Sequence, residues 1–592
     1  MIIKIISSIL AALFAMSSAN AVFTPDTLDK MLASVFGVPL FSASVNEKFL
    51  DDIDDEDISL INEGAGYCKN LILIFSDESA SALDMRKVFI NEPAVLLGWG
   101  MPADLYAAFC PCSSLQNTEK YCESLMSRYD CVALATPVYA FKKSPDYTPG
   151  DPFGNTDSGA VWSELNPNGA NWWLEAIDAR QAWDYDGYFK KTTTGIVDSG
   201  FELDHKELIN KISFPNQRQK KRNLPDRHGT HVAGIIGAEH NNSTGLAGIV
   251  RNADLLCVDW QPDKDAKQDW NTSVHIFFGV IDVVKAGAKV INLSLGSSGS
   301  IENGSEGSKF ELWADSAIHS ALLSALLGNG YDFVICQSAG NGNKNSEPVD
   351  AKYNGTFTGI SKDNAVSIRL RVSKQDILDR IIIVSAARND GNGEYSQASF
   401  SNVGSQVSIA APGVSIYSCT GGTDECEYLS GTSMAAPVVT GVATLVWSVN
   451  PEFTGAQVKK IITDPKNSDA VAKALTEDKR VFEELNYPDY AMVNANLSVQ
   501  AALLETYDMG TVTGKIEGCE EVTLTQNGKK SVYTVLDDGS FSFVASVGKA
   551  TLSAGKTDKT DDFSTEIMIE KNKTYNIGSI VFTADDGNSL TG

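Results

Sequence analysis

Three short segments contain residue types that can together perform nucleophilic catalysis. Asp198 ends an apolar stretch and precedes small residues, His228 opens a small-residue helix, and Ser433 stands where a Gly-Thr turn becomes a helix. A serine hydroxyl is a poor nucleophile at neutral pH, so it needs a base within hydrogen-bond reach and a third group that orients this base. The three residues are of the types that such chemistry requires.

Each segment taken alone also has an ordinary structural explanation. An Asp before Ser-Gly is more often a turn residue or a helix cap, and a His or Ser at a helix start is often a cap or a packed residue. The catalytic interpretation rests on all three standing at the ends of elements, where side chains can project into a cleft. The helix after Ser433 would also bring a backbone N–H and a positive dipole end near a developing oxyanion.

The elements that would position these residues alternate between strands and helices from about residue 170 to 505. Continuous apolar strands separated by helices indicate a parallel sheet covered on both faces, and such sheets have their active sites at the carboxyl ends of the strands. The predicted strands are 193–197, 254–258, 290–293, 333–336 and 381–384, and the predicted helices are 230–238, 273–286 and 312–327.

Taken together and in this order, the three segments resemble the Asp, His and Ser blocks of the subtilisin-like serine peptidases, family S8. Trp173–Trp183 is similar to the segment that the family carries before its first block. Ala398–Gly404 and Ala410–Gly413 are similar to segments that precede the serine block. The resemblance implies an α/β fold, a subtilisin-like parallel sheet with helices on both faces, and a serine endopeptidase that acts through an acyl-enzyme on Ser433.

The resemblance also implies further site residues. Asn341, in Ser338-Ala-Gly-Asn, is similar to the asparagine of the family's oxyanion hole; without the triad, an Asn capping a turn among glycines would be the better explanation. Ser294, Leu295 and Gly296 resemble the edge whose backbone pairs with an extended substrate, which is β-strand addition. The expected partners are therefore protein or peptide substrates.

Two other classes of function compete with a peptidase. A binding-only relative without activity would keep the fold but would usually have lost a catalytic group, and none is missing here. An esterase or lipase of another fold would carry its serine in Gly-x-Ser-x-Gly, before the Asp and His in the chain. Ser433 lies in Gly-Thr-Ser-Met-Ala and comes last, which argues against that class.

The N-terminus has the pattern of a secretory signal peptide over residues 1–21. Lys4 precedes an apolar run at 5–16, and a small-x-small site ends at Ala21. A membrane anchor is the alternative, but the run is short for a hydrocarbon core of about 30 Å. No later segment has about 18 uninterrupted apolar residues, so we expect a secreted chain, extracellular or periplasmic, with no membrane span after maturation.

Residues 22–148 are predicted to form a Cys-containing α+β propeptide that inhibits the peptidase domain at 149–507. Strands are expected at 70–75 and 131–135, helices at 80–88 and 123–129, and a solvated loop at the acidic run 51–57. Lys142-Lys143 and the Pro/Gly-rich stretch 144–152 favour a processing boundary there. A permanently attached N-terminal domain is the alternative.

Residues 508–592 are predicted to form a small all-β module. Apolar and polar residues alternate around Asn527-Gly528 and Asp538-Gly539, which are hairpin signals. This segment resembles, weakly, the transthyretin-like β-sandwiches that are appended to secreted enzymes.

Export changes the interpretation of the ten cysteines, because disulfides form in oxidising compartments. We expect Cys419 and Cys426, which flank a Gly-rich turn, to be bridged. The N-terminal cysteines also favour disulfides over a zinc site, since no histidine precedes His205. Cys257 and Cys336 lie in apolar strands and are expected to be buried small hydrophobes.

The proposed chemistry requires no cofactor, whereas a structural calcium ion fits the resemblance. Asp204, Glu207 and the loop 241–245 occupy positions where relatives bind calcium, but solvated turn residues explain them about as well. His231 is expected to pack or to form a hydrogen bond within its helix.

The formal net charge of −27 argues against nucleic-acid binding, which needs a basic face. The segments 297–330 and 343–380 are longer than a minimal family member needs and should border the substrate cleft. A relative's side-chain preference therefore cannot be transferred to this chain.

Overall fold

The computed structural model describes residues 58–141, 172–261, 271–296, 306–470, 490–581 and 589–591, with gaps of one to four residues inside these ranges. The predicted signal peptide, the acidic run and the Pro/Gly-rich stretch lie outside the described residues. The described chain has three parts, which are an N-terminal α+β module, a large α/β domain and a C-terminal β module.

The N-terminal module is an antiparallel sheet with strand order β3-β4-β2-β5, in which β1 also pairs with β2. Its second helix begins at Leu115 and not near 123 as predicted, because the Ser114 side chain caps it by accepting from Asn117 N. The elements are β1 (Ile58–Leu60), β2 (Ala65–Ser76), α1 (Ala82–Asn91), β3 (Val95–Gly100), β4 (Leu105–Phe109), α2 (Leu115–Arg128) and β5 (Val132–Phe141).

The central domain begins with two short helices and continues as alternating strands and helices. Up to the middle of its sheet the elements are α3 (Trp172–Ala176), α4 (Ala179–Trp183), β6 (Thr193–Asp198), β7 (Ile212–Ser213), α5 (Gln217–Arg222), α6 (Arg227–Gly237), β8 (Asp254–Asp259), β9 (Asn271–Thr272), α7 (Ser273–Lys285), β10 (Val290–Leu293), α8 (Glu306–Gly328) and β11 (Val334–Ser338). The remaining elements are α9 (Lys374–Leu378), β12 (Ile381–Gly391), β13 (Glu394–Gln397), β14 (Ile409–Pro412), β15 (Ile416–Cys419), β16 (Cys426–Leu429), α10 (Thr432–Val449), α11 (Gly455–Thr463), β17 (Ser468–Ala470), β18 (Ala491–Val493) and α12 (Ala495–Thr506).

The central sheet has the order β17-β18-β14-β12-β11-β10-β6-β8-β7, and every pair from β18 to β7 is parallel. Neighbouring residues of β6 point to opposite faces: Ile196 packs into a cluster with Val232 of α6 and Val439 of α10, while Val197 packs with Val280 of α7. Helices therefore cover both faces, and the predicted α/β architecture is confirmed.

Helix α10 lies in the middle of this core. It is long and apolar enough to cross a membrane, but 94% of its apolar window is buried inside the protein. This burial is that of a core helix, and it fixes the position of the residues at its N-terminus.

The C-terminal module consists of two four-stranded sheets, with orders β22-β19-β25-β26 and β21-β20-β23-β24. Asn527 and Gly528 both have positive φ (52° and 78°) and form the predicted two-residue hairpin. The prediction of a second hairpin at 538–539 is wrong, because β21 and β22 pair in different sheets and this turn connects them. The strands are β19 (Met509–Glu517), β20 (Glu521–Gln526), β21 (Lys529–Thr534), β22 (Ser540–Ser546), β23 (Gly548–Lys556), β24 (Lys559–Ile569), β25 (Thr574–Val581) and β26 (Ser589–Thr591).

Both flanking modules pack on the central domain. In the N-terminal module, strand β5 pairs with β9 of the central domain. The rings of Phe75 and Phe277 of α7 pack edge to face, with their centroids 5.8 Å apart. At the other end, Val544 N–H donates to Tyr185 Oη at 2.9 Å in a buried contact.

Two carboxylates meet at the junction with the C-terminal module. Asn494 Nδ2 donates to Asp178 Oδ2 at 2.7 Å and to Asp469 Oδ2 at 2.8 Å, beside a cleft of about 460 Å³. Desolvation, and then the neighbouring Asp469 and Glu175, raise the pKa of Asp178 to about 6, although the Asn494 amide opposes the shift. The ionised form of Asp178 therefore lowers the stability of the folded chain at neutral pH.

We predict that Asp178→Asn stabilises the chain at neutral pH. A folded-state pKa above the unfolded value means that the contribution of Asp178 is intact below about pH 4 and is lost as the pH rises towards 6. Asparagine keeps an acceptor for Asn494 and tolerates the left-handed backbone at this position, where φ is 52°. The gain should be about 1 kcal/mol at about pH 8 and vanish near pH 4, measured by thermal unfolding of a Ser433→Ala background.

Asp363→Asn is the control, because it removes the same charge from an exposed position. An Asp178→Asn gain that is the same at both pH values would contradict the assignment.

Candidate active site

The acid and the histidine are brought together by a close backbone approach. Helix α6 starts against the end of β6, and a Cβ added at Gly229 would lie only 1.7 Å from the carbonyl oxygen of Ser199. Asp226 caps the helix by accepting from His228 N at 2.8 Å and also accepts from Ser199 Oγ at 2.6 Å. Glycine at 229 and a short capping acid thus fix the start of α6 on the strand end.

Asp198 and His228 form a buried hydrogen-bonded pair as a result. The two side chains are 2% and 5% exposed, and His228 Nδ1 donates to Asp198 Oδ1 at 2.6 Å. The same carboxylate oxygen accepts from Ser199 N at 2.7 Å. Because the proton is held on Nδ1, the lone pair of the imidazole is on Nε2, as a general base requires.

Ser433 is the second residue of α10 and is half-exposed, whereas almost every other residue of that helix is buried. Helix α10 packs against α6, so the N-terminal turns that carry Ser433 and His228 belong to neighbouring helices. Ser294 Oγ donates to the carbonyl of Ser433 at 2.6 Å, and Ser433 Oγ approaches the carbonyl of Ser294 at 3.4 Å. Ser294 therefore holds Ser433 at the end of β10.

Asn341 lies beside the same turn with its amide in a defined orientation. Its Oδ1 accepts from both the N–H and the Oγ1 of Thr432, each at 2.8 Å, so Nδ2 must point the other way. A Cβ added at Gly431 would lie 3.1 Å from Asn341 Nδ2 and 3.6 Å from Ser433 N. Two N–H donors thus border one small space that a side chain at 431 would invade.

The segment Ser294–Gly296 continues from the end of β10 at the same edge of the sheet. Gln337 Nε2 and Ser338 Oγ both donate to the Leu295 carbonyl at 3.2 Å, so this carbonyl points into the protein. A Cβ at Gly296 would lie 2.2 Å from the amide of Asn354, which leaves no room for a side chain. These contacts hold the segment against its neighbours, and Gly296 is its half-exposed residue.

Sequence reasoning missed two positioning residues, Thr432 and Asp226. Asp226 carried a usable signal, since Asp before a helix start is a common cap. Thr432 carried none, because its contact with Asn341 joins residues 91 positions apart.

The predicted disulfides are not formed in this structure. Cys419 and Cys426 stand opposite each other in the β15–β16 hairpin as free thiols, and the N-terminal Cys110, Cys112 and Cys122 are also free thiols. Cys257 and Cys336 are fully buried, as expected.

His231 is fully buried and packs inside the protein, as expected. Its Nε2 is within hydrogen-bonding distance of the carbonyls of Ile416 and Glu427, at 3.0 and 3.2 Å. It therefore ties α6 to the β15–β16 hairpin.

Of the residues considered as calcium ligands, one has suitable surroundings and another does not. Glu207 is a buried carboxylate whose Oε2 accepts from Asn242 Nδ2 at 2.9 Å, which places the acid against the loop expected to share the ion. Asp204 is exposed. The buried Glu207 fits a cation, while Asp204 does not join it in a common buried site.

Comparisons with known proteins agree with this geometry. Residues 190–483 match the model of the subtilase family of peptidases. Thermitase from Thermoactinomyces vulgaris is 32% identical over 307 residues, which are 51% of this chain and 86% of thermitase. A thermophilic serine proteinase from Bacillus sp. strain AK1 is 30% identical over 273 residues, 45% of this chain and about half (55%) of that protein.

The fold has a known counterpart as well. The crystal structure of fervidolysin from Fervidobacterium pennivorans, a keratinolytic enzyme related to subtilisin, superposes with a TM-score of 0.50 at 17% identity, over 88% of this chain and 79% of that one. This likeness concerns the fold. The match to the family model and the identity with thermitase show that the chain belongs to the subtilase family of serine peptidases.

Proposed function

We propose that the chain is a secreted serine endopeptidase that hydrolyses peptide bonds through an acyl-enzyme on Ser433. The observation that carries the proposal is the buried His228–Asp198 hydrogen bond of 2.6 Å at the carboxyl edge of the parallel sheet. Family membership supports peptidase chemistry, and the signal-peptide pattern supports export.

The proton transfers follow from the fixed tautomer. His228 Nε2 takes the proton of the Ser433 hydroxyl as its oxygen attacks the scissile carbonyl, and it later gives that proton to the leaving amine. Asp198 holds the ring in this orientation and stabilises the imidazolium. A water molecule, activated by the same nitrogen, then hydrolyses the ester.

The oxyanion of each tetrahedral intermediate would lie between Asn341 Nδ2 and Ser433 N–H. The two donors of Thr432 hold the amide in place before the reaction starts, so little reorganisation is needed when charge develops. Asn341 is thus proposed as a catalytic residue, and Thr432 as a positioning residue.

Substrate would lie extended along Ser294–Gly296 and pair with its backbone. The contacts that hold Leu295 and Gly296 in place support the proposal, since an edge that is ordered before binding loses little entropy on pairing. Main-chain contacts of this kind are tolerant of sequence.

The N-terminal module is proposed to be an inhibitory propeptide. Its pairing with β9 and its packing on α7 support an intramolecular contact with the domain that it would regulate. A binding-only relative remains the alternative function, and the peptide-cleavage experiment with Ser433→Ala below separates the two.

A structural calcium ion near Glu207 is part of the proposal. Glu207 supplies a carboxylate and the loop that contains Asn242 would supply oxygens, the ligands that calcium prefers. Chelation by EGTA should lower the Tm and added Ca²⁺ should restore it, whereas Glu207→Gln should abolish the response. A Tm that is equal with and without calcium would exclude the ion.

Ser433→Ala should abolish peptide cleavage. Purified protein and its Ser433→Ala form are incubated with a peptide library, and the cleavage sites are identified by mass spectrometry. Equal cleavage by both forms would refute the mechanism, and cleavage by neither would favour the binding-only alternative. Fragments of residues 22–148 in the same spectra report whether processing is autocatalytic.

Asn341→Ala should lower kcat by about 10²–10³-fold with KM little changed, the known effect of removing the corresponding donor from subtilisin. Thr432→Val should cost about tenfold, because the Thr432 N–H still holds Oδ1. Thr432→Ser keeps the hydroxyl and is the matched control, with activity close to that of the parent. A Thr432→Val variant that is as impaired as Asn341→Ala, or one in which only KM rises, would contradict the positioning role.

A further inference from the structure

A second cluster of reactive side chains lies outside the proposed catalytic groups. A ring nitrogen of His205 and the sulfur atoms of Cys419 and Cys426 all lie within 4.8 Å of one another. His205 and Cys419 are fully buried, while Cys426 is half-exposed. Two thiols and an imidazole are the ligands that a thiophilic cation prefers.

We propose that His205, Cys419 and Cys426 form a binding site for a thiophilic divalent cation of the Zn²⁺ class, with a fourth position open to water. Two thiolates balance the charge of a dication, and a Cys₂His set with water is a recognised zinc coordination. The half-exposed Cys426 gives an ion a route from solvent into the otherwise buried cluster.

The two cysteines are brought together by the register of the β15–β16 hairpin. Cys419 is directly opposite Cys426, and the next pair along is hydrogen-bonded, with Thr420 N–H donating to the Glu425 carbonyl at 2.8 Å. Cys419 and Cys426 therefore occupy a non-hydrogen-bonded pair, in which side chains of opposite strands come closest. Both sulfur atoms lie on one face of the hairpin.

The third ligand is held against this hairpin by backbone contacts. His205 Nε2 donates to the carbonyl of Glu425 at 2.8 Å, and Lys206 N–H donates to the carbonyl of Thr423 at 2.7 Å. Metal-binding histidines commonly donate their other ring N–H to a backbone carbonyl. The lone pair that a metal needs is then on Nδ1, where the present contact from Glu207 N–H is long, at 3.2 Å.

The electrostatic surroundings also suit a cation. The buried carboxylate of Glu207 adds negative charge close by.

The cluster lies where the β15–β16 hairpin, which leads to Ser433, packs against α6, which carries His228. A Cβ added at Gly234 of α6 would lie 2.8 Å from Cys419 Sγ, and Ser418 Oγ donates to the carbonyl of His231 at 2.8 Å. The hairpin runs on through Leu429 to the turn before Ser433. A bound ion would therefore stabilise the contact between the hairpin and α6.

The test uses Co²⁺ as a spectroscopic probe and Zn²⁺ as its competitor, on reduced full-length protein carrying Ser433→Ala. Autolysis is thereby excluded, and failure of the proposed peptidase function would not affect the readout. One equivalent of Co²⁺ should produce thiolate-to-cobalt charge-transfer absorption, Zn²⁺ should displace it, and Zn²⁺ should raise the Tm.

Cys426→Ser should abolish the absorption and weaken Zn²⁺ binding by about 100-fold or more. The half-exposed position should tolerate serine, and circular dichroism checks the fold. His205→Gln keeps an N–H donor for Glu425 and should also lose the site. Cys112→Ser, a substitution in the N-terminal Cys-x-Cys pair, is the matched control and should bind as the parent does.

Three results would overturn the proposal. One is the absence of charge-transfer absorption from the reduced, folded parent. Another is absorption that survives Cys426→Ser but disappears in Cys112→Ser, which would place the ligands in the N-terminal module. The last is a Cys419–Cys426 disulfide in protein isolated from zinc-supplemented medium without reductant, which would make the pair a covalent clamp.

Discussion

The contact between the start of α6 and the end of β6 is the constraint on which the site depends. At this point two backbones approach so closely that only glycine fits at 229, where a Cβ would lie 1.7 Å from the Ser199 carbonyl oxygen. The distance between Asp198 and His228 is therefore set by main-chain packing. Asp226 reinforces this packing, because it accepts hydrogen bonds both from the N–H of His228 and from Ser199 Oγ. The backbone therefore places the Asp198 and His228 side chains within hydrogen-bonding distance of each other.

The serine side of the cleft depends on a different kind of contact. Helix α10 is buried along most of its length, and its first turn is attached to two strand ends by Ser294 and Asn341. Parallel strands end at one edge of their sheet, so β6, β10 and β11 bring all these groups together although they are distant in sequence. The sheet supplies proximity, and the polar contacts supply orientation.

The difference between proximity, which the sheet supplies, and orientation, which the polar contacts supply, explains what could be predicted from the sequence. Strands such as Val290–Leu293 carry a local signal, which is a continuous apolar run. Asp198, His228 and Ser433 each lie in a short motif that can be recognised in the sequence. The orientation of Asn341 by Thr432 depends on a contact between distant residues, which no local pattern records. The turn at 538–539 looked like a hairpin because its composition is that of one, whereas partner choice among β strands is decided by packing in three dimensions. The same limit applies to Cys419 and Cys426, whose spacing suggested a bridge but did not reveal that His205 lies beside them.

The interface of the N-terminal module bears on its proposed role as a propeptide. Leu73 and Phe75 belong to the same buried cluster as Phe277 and Ile281 of α7, so one face of the N-terminal sheet is part of a shared apolar core. Removing the module would expose that face, at a cost of about 25 cal/mol for each Å² of apolar surface returned to water. Cleavage of the chain between 142 and 171 would leave these contacts intact. Cleavage and release are therefore separate events, and a cut N-terminal module would stay bound to the central domain until it dissociates or is degraded.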